Sequence, residues 1–180
     1  MGKLKVYKPQ FFRDPIHLLA EHKDRLIAQK GKQIRNIWVA WDYKKDEWYK
    51  ELPVVVEVDN CRIELCANRI GEYSISFDEI NIASGLEDYH KKLKWEKNKL
   101  GCLHKVLNQR IRSIELIEST VHVSYLKEDQ LSGKVTIDYV IDGIGFNLDD
   151  GYLAICNGLD ENLIMTKNTH DKTIKRTNII

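Results

Sequence analysis

Val54-Val55-Val56-Glu57-Val58-Asp59-Asn60-Cys61-Arg62-Ile63-Glu64-Leu65-Cys66 has a counterpart further along the chain, Ile144-Gly145-Phe146-Asn147-Leu148-Asp149-Asp150-Gly151-Tyr152-Leu153-Ala154-Ile155-Cys156. The shift is constant and ungapped (144 − 54 = 90). Apolar residues at 54, 56, 58, 63 and 65 meet apolar residues at 144, 146, 148, 153 and 155. Asp59 and Asp149 match, as do Cys66 and Cys156. Alternation on both sides of Asp59-Asn60 or Asp149-Asp150-Gly151 is the pattern of a β-hairpin, because turn residues there separate two runs of period two.

Working outward, Gln33-Ile34-Arg35-Asn36-Ile37 matches Arg110-Ile111-Arg112-Ser113-Ile114 (110 − 33 = 77), which also sets Leu26 against Leu103. One inserted residue beyond the hairpins, Glu72-Tyr73-Ser74-Ile75 meets Glu161-Asn162-Leu163-Ile164. Matches in the same order predict two diverged copies of one unit. The other reading is two unrelated meanders of similar pattern, which would differ in strand order.

Each unit reads as helix, strand, hairpin and strand. Leu18-Leu19 and Leu26-Ile27 have helical spacing, and Gly31 stops the helix. Gln33–Asp42 is a strand with Ile37, Val39 and Trp41 on one face; Pro53 opens the hairpin, and Tyr73–Phe77 follows it. In the second unit Leu100–Leu107 is a short helix or helical turn, Arg110–Glu118 a strand, and Asn162–Thr166 the last strand. The shift grows by thirteen residues (90 − 77 = 13), which predicts an added hairpin between Ser119 and Asp142 that turns at Asp129–Gly133. In the joining region, Gly85–Leu93 suggests one or two helical turns, and Lys91, Lys92, Lys94, Lys97 and Lys99 suggest a solvated helix face. The expected fold is α+β, antiparallel sheets from two helix–strand–hairpin repeats. Residues 1–165 form a single domain, with repeats at about 18–80 and 100–165, and 166–180 form a polar, frayed tail.

The 180 residues carry 28 Lys and Arg against 27 Asp and Glu. This balance speaks against a nucleic-acid partner, whose phosphates draw a basic excess. No apolar run approaches the about 20 residues that a membrane helix needs, so no membrane partner is expected. The start MGKLKVYKPQFF lacks an apolar signal segment, and four cysteines read as reduced thiols in the cytoplasm.

Motifs for chemistry are sparse. No phosphate-binding glycine loop is present, and Gly143-Ile144-Gly145 lies inside a strand, where backbone crowding or a bulge explains it better. Cys61 and Cys66, or Cys102 and His104, lack a second ligand pair for zinc. Cys66 and Cys156 read as small buried residues. His17 and His22 are five apart and on different helical faces; His122 falls in the added hairpin. No general-base partner is named by the sequence, so no catalytic residue, metal ligand or cofactor is assigned. Asp149-Asp150 reads as a turn. Asp160-Glu161 lies in a turn-rich loop; Glu161 has a counterpart in Glu72, which favours pairing with a basic residue or the backbone, with a partner contact as the other reading. Trp38, on the strand face opposite Ile37, and Trp48-Tyr49, in a charged linker, are either packing residues or interface anchors.

The string GIGFNLDDGYLAICNGLDEN, residues 143–162, resembles the C-terminal segment of small uncharacterised bacterial proteins, some of them similar to immunity proteins of polymorphic toxin systems. The resemblance covers about a quarter of the chain and implies a cytosolic, non-enzymatic protein that binds a toxin-like protein partner. On that reading Trp38, Trp48, Tyr49, Asp160 and Glu161 are the expected partner-binding residues. A small-molecule binder or enzyme with a site between the repeats is the alternative. Oligomeric state is not legible.

Overall fold

The computed structural model describes residues 7–84, 86–88, 91–127, 130–169, 171 and 173–180. Asp14 opens the helix α1 (Pro15–Ile27): its carboxylate accepts a hydrogen bond from the Ile16 amide, and Pro15, which has no amide to satisfy, fills the first turn. Such a cap stabilises a helix by about 1 kcal/mol. Leu18 and Leu26 are the buried residues of α1. Gly31, at φ +80°, turns the chain out of the helix, a conformation that a side chain would resist.

Sheet one follows: β1 (Ile34–Asp42), β2 (Glu47–Trp48), β3 (Val54–Val58), β4 (Cys61–Ala67), β5 (Tyr73–Phe77), β6 (Leu86–Asp88) and β7 (Lys91–Lys97). After a 3₁₀ turn (Gly101–Lys105) comes sheet two: β8 (Ile111–Lys127), β9 (Gln130–Leu148), β10 (Gly151–Asn157), β11 (Asn162–Met165) and β12 (Ile174–Asn178). Among the described residues all pairings are antiparallel. The orders are β5-β4-β3-β1-β7-β6, with β2 beside β1, and β11-β10-β9-β8-β12.

Alternation decides what each strand buries. Ile37, Val39, Val56 and Leu65 from sheet one share one apolar core with Leu116, Ile144, Phe146 and Ile155 from sheet two. Leu18 and Leu26 of α1 join it, as do Leu103 and Val106 at the 3₁₀ turn. Each such side chain contributes about 1.5–3 kcal/mol on burial. The sheets are also stitched by main chain. Gly31 N donates to Ile111 O (2.8 Å) and Asn108 N to Ile34 O (2.7 Å); Ile34 N donates to Gln109 O (3.0 Å) and Ile111 N to Lys32 O (2.9 Å).

Four expectations need correction. The lysine-rich segment is the strand β7, not a helix face, because its amides and carbonyls pair with β1, Trp38 opposite Lys97 and Asp42 opposite Leu93. Likewise the helical turns expected over 85–93 are replaced by the β6–β7 pair, with residue 85 itself outside the described residues. The frayed tail is wrong for 174–178: this polar segment is β12, paired with β8 from Ser119 to Glu115, and Ile179 beyond it is buried. The added hairpin itself is present, as the far end of one long ribbon in which β8 and β9 pair from Val121 with Ile137 out to Lys127 with Gln130; its turn is what needs correction. The turn does not span 129–133, because Gln130, Leu131 and Gly133 already pair in β9 with Lys127, Leu126 and Tyr125; residues 128 and 129 lie outside the described residues.

Gly143 and Gly145 do meet crowding. A Cβ on Gly143 would collide with the Ile155 carbonyl oxygen and come within 2.8 Å of Cys156 Cα. One on Gly145 would strike the Tyr152 hydroxyl. That hydroxyl donates to Glu115 Oε1 (2.7 Å), which also holds Arg176 (2.5 Å), tying β12 to the sheet.

Candidate functional site

Asn162, wholly buried at the start of β11, organises the place where the loops of the two sheets converge. Its Oδ1 accepts from the Ala67 amide (2.8 Å), and its Nδ2 donates to the carbonyls of Lys50 (2.8 Å) and Leu52 (2.9 Å). Its own amide donates to Lys50 O (2.9 Å). One side chain therefore fixes the β2–β3 loop, the end of β4 and the β10–β11 loop together. A buried amide with all these bonds made is specific in geometry, because losing a partner costs more than the bond contributes.

Between these loops lies a groove of about 500 Å³. Phe11, Pro53 and Cys66 are among its apolar walls, and Glu51, Asp160 and Glu161 form an acidic lip. Burial pushes the Cys66 thiol up to about 11 and raises Tyr7, which also faces the groove, above its ordinary value. Lys50 Nζ reaches Glu161 Oε1 (3.0 Å) and stands over the Trp48 ring; Tyr49 donates to Glu51 Oε2 (2.6 Å). Glu72, the counterpart of Glu161, is held by Arg13, whose Nε lies 2.8 Å away.

The tip of the β10–β11 loop is strained. Leu159 (φ +66°) and Asp160 (φ +64°) are consecutive non-glycine residues in the left-handed region, each costing on the order of 1–3 kcal/mol. Asn157 Oδ1 accepts from the Leu159 amide (3.0 Å), and Gly158 N donates to Glu161 O (2.8 Å), holding that shape. Leu159 is 69% exposed, and Asp160 has no hydrogen bond or ion pair among the described residues.

Of the expected partner-binding residues, Asp160 and Glu161 therefore line the groove, Tyr49 is joined to it through its hydrogen bond to Glu51, and Trp48 lies beneath Lys50. Trp38 does not join them. It is half-buried on the outer face of sheet one, donates to Glu57 Oε2 (3.0 Å), and borders a separate hollow of about 300 Å³. Sequence reasoning missed Glu51, Leu159 and Asn162. The turn composition of Asn157-Gly158-Leu159-Asp160 marks the loop, but nothing in it announces that Asn162 would gather three segments. Among the described residues no three of His, Cys, Asp and Glu converge to hold a metal, and no helix is long and apolar enough to cross a membrane. In comparisons with family models, curated proteins and solved structures, nothing matches this chain.

Proposed function

We propose that this chain is a cytosolic, non-enzymatic protein-binding module of immunity type, which occludes a toxin-like protein partner at the acidic groove. The carrying observation is the strained, braced loop that puts exposed Leu159 beside the unpaired carboxylate of Asp160 at the groove's lip. Preorganisation of this kind lowers the ordering cost of association, and an apolar anchor ringed by charge is a hot-spot arrangement. The partner presents a basic, partly apolar segment to the lip. With the chain immobilised, a stoichiometric protein from the native host should bind the wild type, and Glu51→Arg should weaken it at least about tenfold, or about 1.4 kcal/mol. A species retained equally by both, or no stoichiometric species, overturns the proposal.

The second reading, a small-molecule site between the two halves, is favoured by the groove's walls, which come from loops of both sheets, and by its volume, within the about 300–1,000 Å³ of ligand pockets. A metabolite that raises the melting temperature of the wild type but not of Glu51→Arg would select it.

We infer also that the two sheets are diverged copies of one unit. Several likenesses support this. The orders β5-β4-β3-β1-β7 and β11-β10-β9-β8-β12 correspond strand for strand. Val56 pairs with Ile63 and Phe146 with Leu153, in the same register. The bonds Gly31 N to Ile111 O and Asn108 N to Ile34 O exchange under the shift of the strand match (108 − 31 = 77, 111 − 34 = 77), as a two-fold relation requires. Arg35 pairs with Asp59 as Arg112 does with Asp149. On this inference β7 and β12 are equivalent, so each copy extends further than the sequence match reaches.

A further inference from the structure

The loops at 69–72 and 158–161 occupy corresponding places, with one shift joining both Ile70 to Leu159 (159 − 70 = 89) and Glu72 to Glu161 (161 − 72 = 89). Each is closed by a main-chain bond to the matched glutamate, the first loop one residue wider: Asn68 N donates to Glu72 O (3.1 Å), and Gly158 N to Glu161 O (2.8 Å). Gly71 and Asp160 are both in the left-handed region. The two tips are neighbours, because Asn157 Nδ2 donates to Arg69 O (2.8 Å). Both carry an uncovered apolar side chain, Ile70 at 49% and Leu159 at 69% exposure, and Leu163, 42% exposed, stands beside Gly158. Apolar residues scattered singly on a surface are ordinary, but three around one pair of bonded loops form a patch.

The flanking charges say what fits the patch. Arg69 on one tip and Asp160 on the other are exposed, and neither side chain makes an ion pair or hydrogen bond among the described residues. Glu72, whose carboxylate Arg69 favours through space, makes its direct contact with Arg13. A surface that sets a cation and an anion, neither of them in an ion pair, next to apolar side chains is complementary to itself after half a turn. We propose that this patch is the interface for a second copy of the chain, in an isologous dimer where Arg69 of each protomer faces Asp160 of the other and Ile70 and Leu159 pack between them. This stands on the two tips and not on the groove reading. Asp160 borders both, so a groove-bound partner and a second copy compete for it.

The test is the mass of the intact chain in solution by light scattering over a wide range of concentration and two salt levels. The wild type should dimerise as concentration rises, more weakly at high salt, because opposed surface charges are screened. Arg69→Glu and Asp160→Lys should each be monomeric, and the double variant Arg69→Glu/Asp160→Lys should dimerise again, since the facing pair is restored with its signs exchanged. Leu159→Asp should be monomeric with an unchanged circular dichroism spectrum. A wild type that stays monomeric throughout overturns the proposal. So does a dimer indifferent to the single reversals, or a double variant that remains monomeric, which would assign the patch to a different partner.

Discussion

Glu64 has no exposed surface, yet it sits on the outer face of sheet one with its carboxylate accepting from Ser76 Oγ (2.7 Å) and from the amides of Glu79 (3.1 Å) and Ile80 (3.2 Å). It thus anchors the segment after β5. Burial is the largest influence and pushes its carboxyl above the usual range, the hydrogen bonds opposing it. An acid whose value is higher folded than unfolded stabilises most when protonated. Its contribution is complete below the unfolded value and is lost as pH rises through the folded one. Glu64→Gln can keep an oxygen for both amides and turn its NH₂ to Ser76, so its stability should change less from acidic to neutral pH. Denaturant midpoints along that range check this, and parallel curves for the two proteins would refute it. The thiols give a second residue-scale expectation. Burial raises Cys66 to about 11 and Cys156 to about 12, whereas Cys102 is exposed and Cys61 half-buried. The reactive form is the thiolate. A thiol reagent should label Cys102 first and Cys61 slowly, and reach Cys66 and Cys156 only at the rate of unfolding. Prompt labelling of Cys66 would show instead that the groove opens in the native state.

At the scale of elements, the hairpins β3–β4 and β9–β10 were legible because each buries one face against the core and turns on Asp-Asn or Asp-Asp-Gly. Alternation along 119–142 was legible too, although β8 and β9 take it up as their own length. What escaped were β7 and β12. Both lie beside a strand of the core on one side only, so their pairing is a property of the backbone, and lysines, glutamate or threonine serve as well there as valine. Lys94 and Lys97 stand over the rings of Tyr43 and Trp38, contacts that no spacing in the sequence discloses. Crowding within a hairpin, by contrast, is a local matter. Gly143→Ala should cost about 1–3 kcal/mol, because the atoms its Cβ meets are main-chain atoms of β10 that cannot step aside. Thermal denaturation measures it, and an unchanged midpoint would show that the β9–β10 pair has slack.

For the molecule as a whole, the pairings of each sheet close within a contiguous stretch, 34–97 for the first and 111–178 for the second. A cut between Lys99 and Leu100 severs no strand. Co-expressed fragments 1–99 and 100–180 should therefore copurify as a complex with the circular dichroism of the intact chain, and each alone should aggregate, because its inner face is bare. Fragments that fail to associate would show that the connection itself is needed. The meeting of the sheets was only half legible in the sequence: the strand match at Gln33 and Arg110 marks where they touch, as those two residues form an isolated bridge. The groove was not legible, since it depends on Asn162 bonding to Ala67 and Lys50 across the fold.

The same contiguity has a consequence during synthesis. A ribosome adding roughly 5–20 residues per second finishes the first sheet on the order of ten seconds before the second can cover it. Throughout that interval Val56, Ile63 and Leu65 face water with only α1 for shelter. On a crowded polysome the nearest mate for that half is the second sheet of a neighbouring nascent chain, so fast translation or chaperone shielding decides whether the halves join within one polypeptide or are exchanged between two.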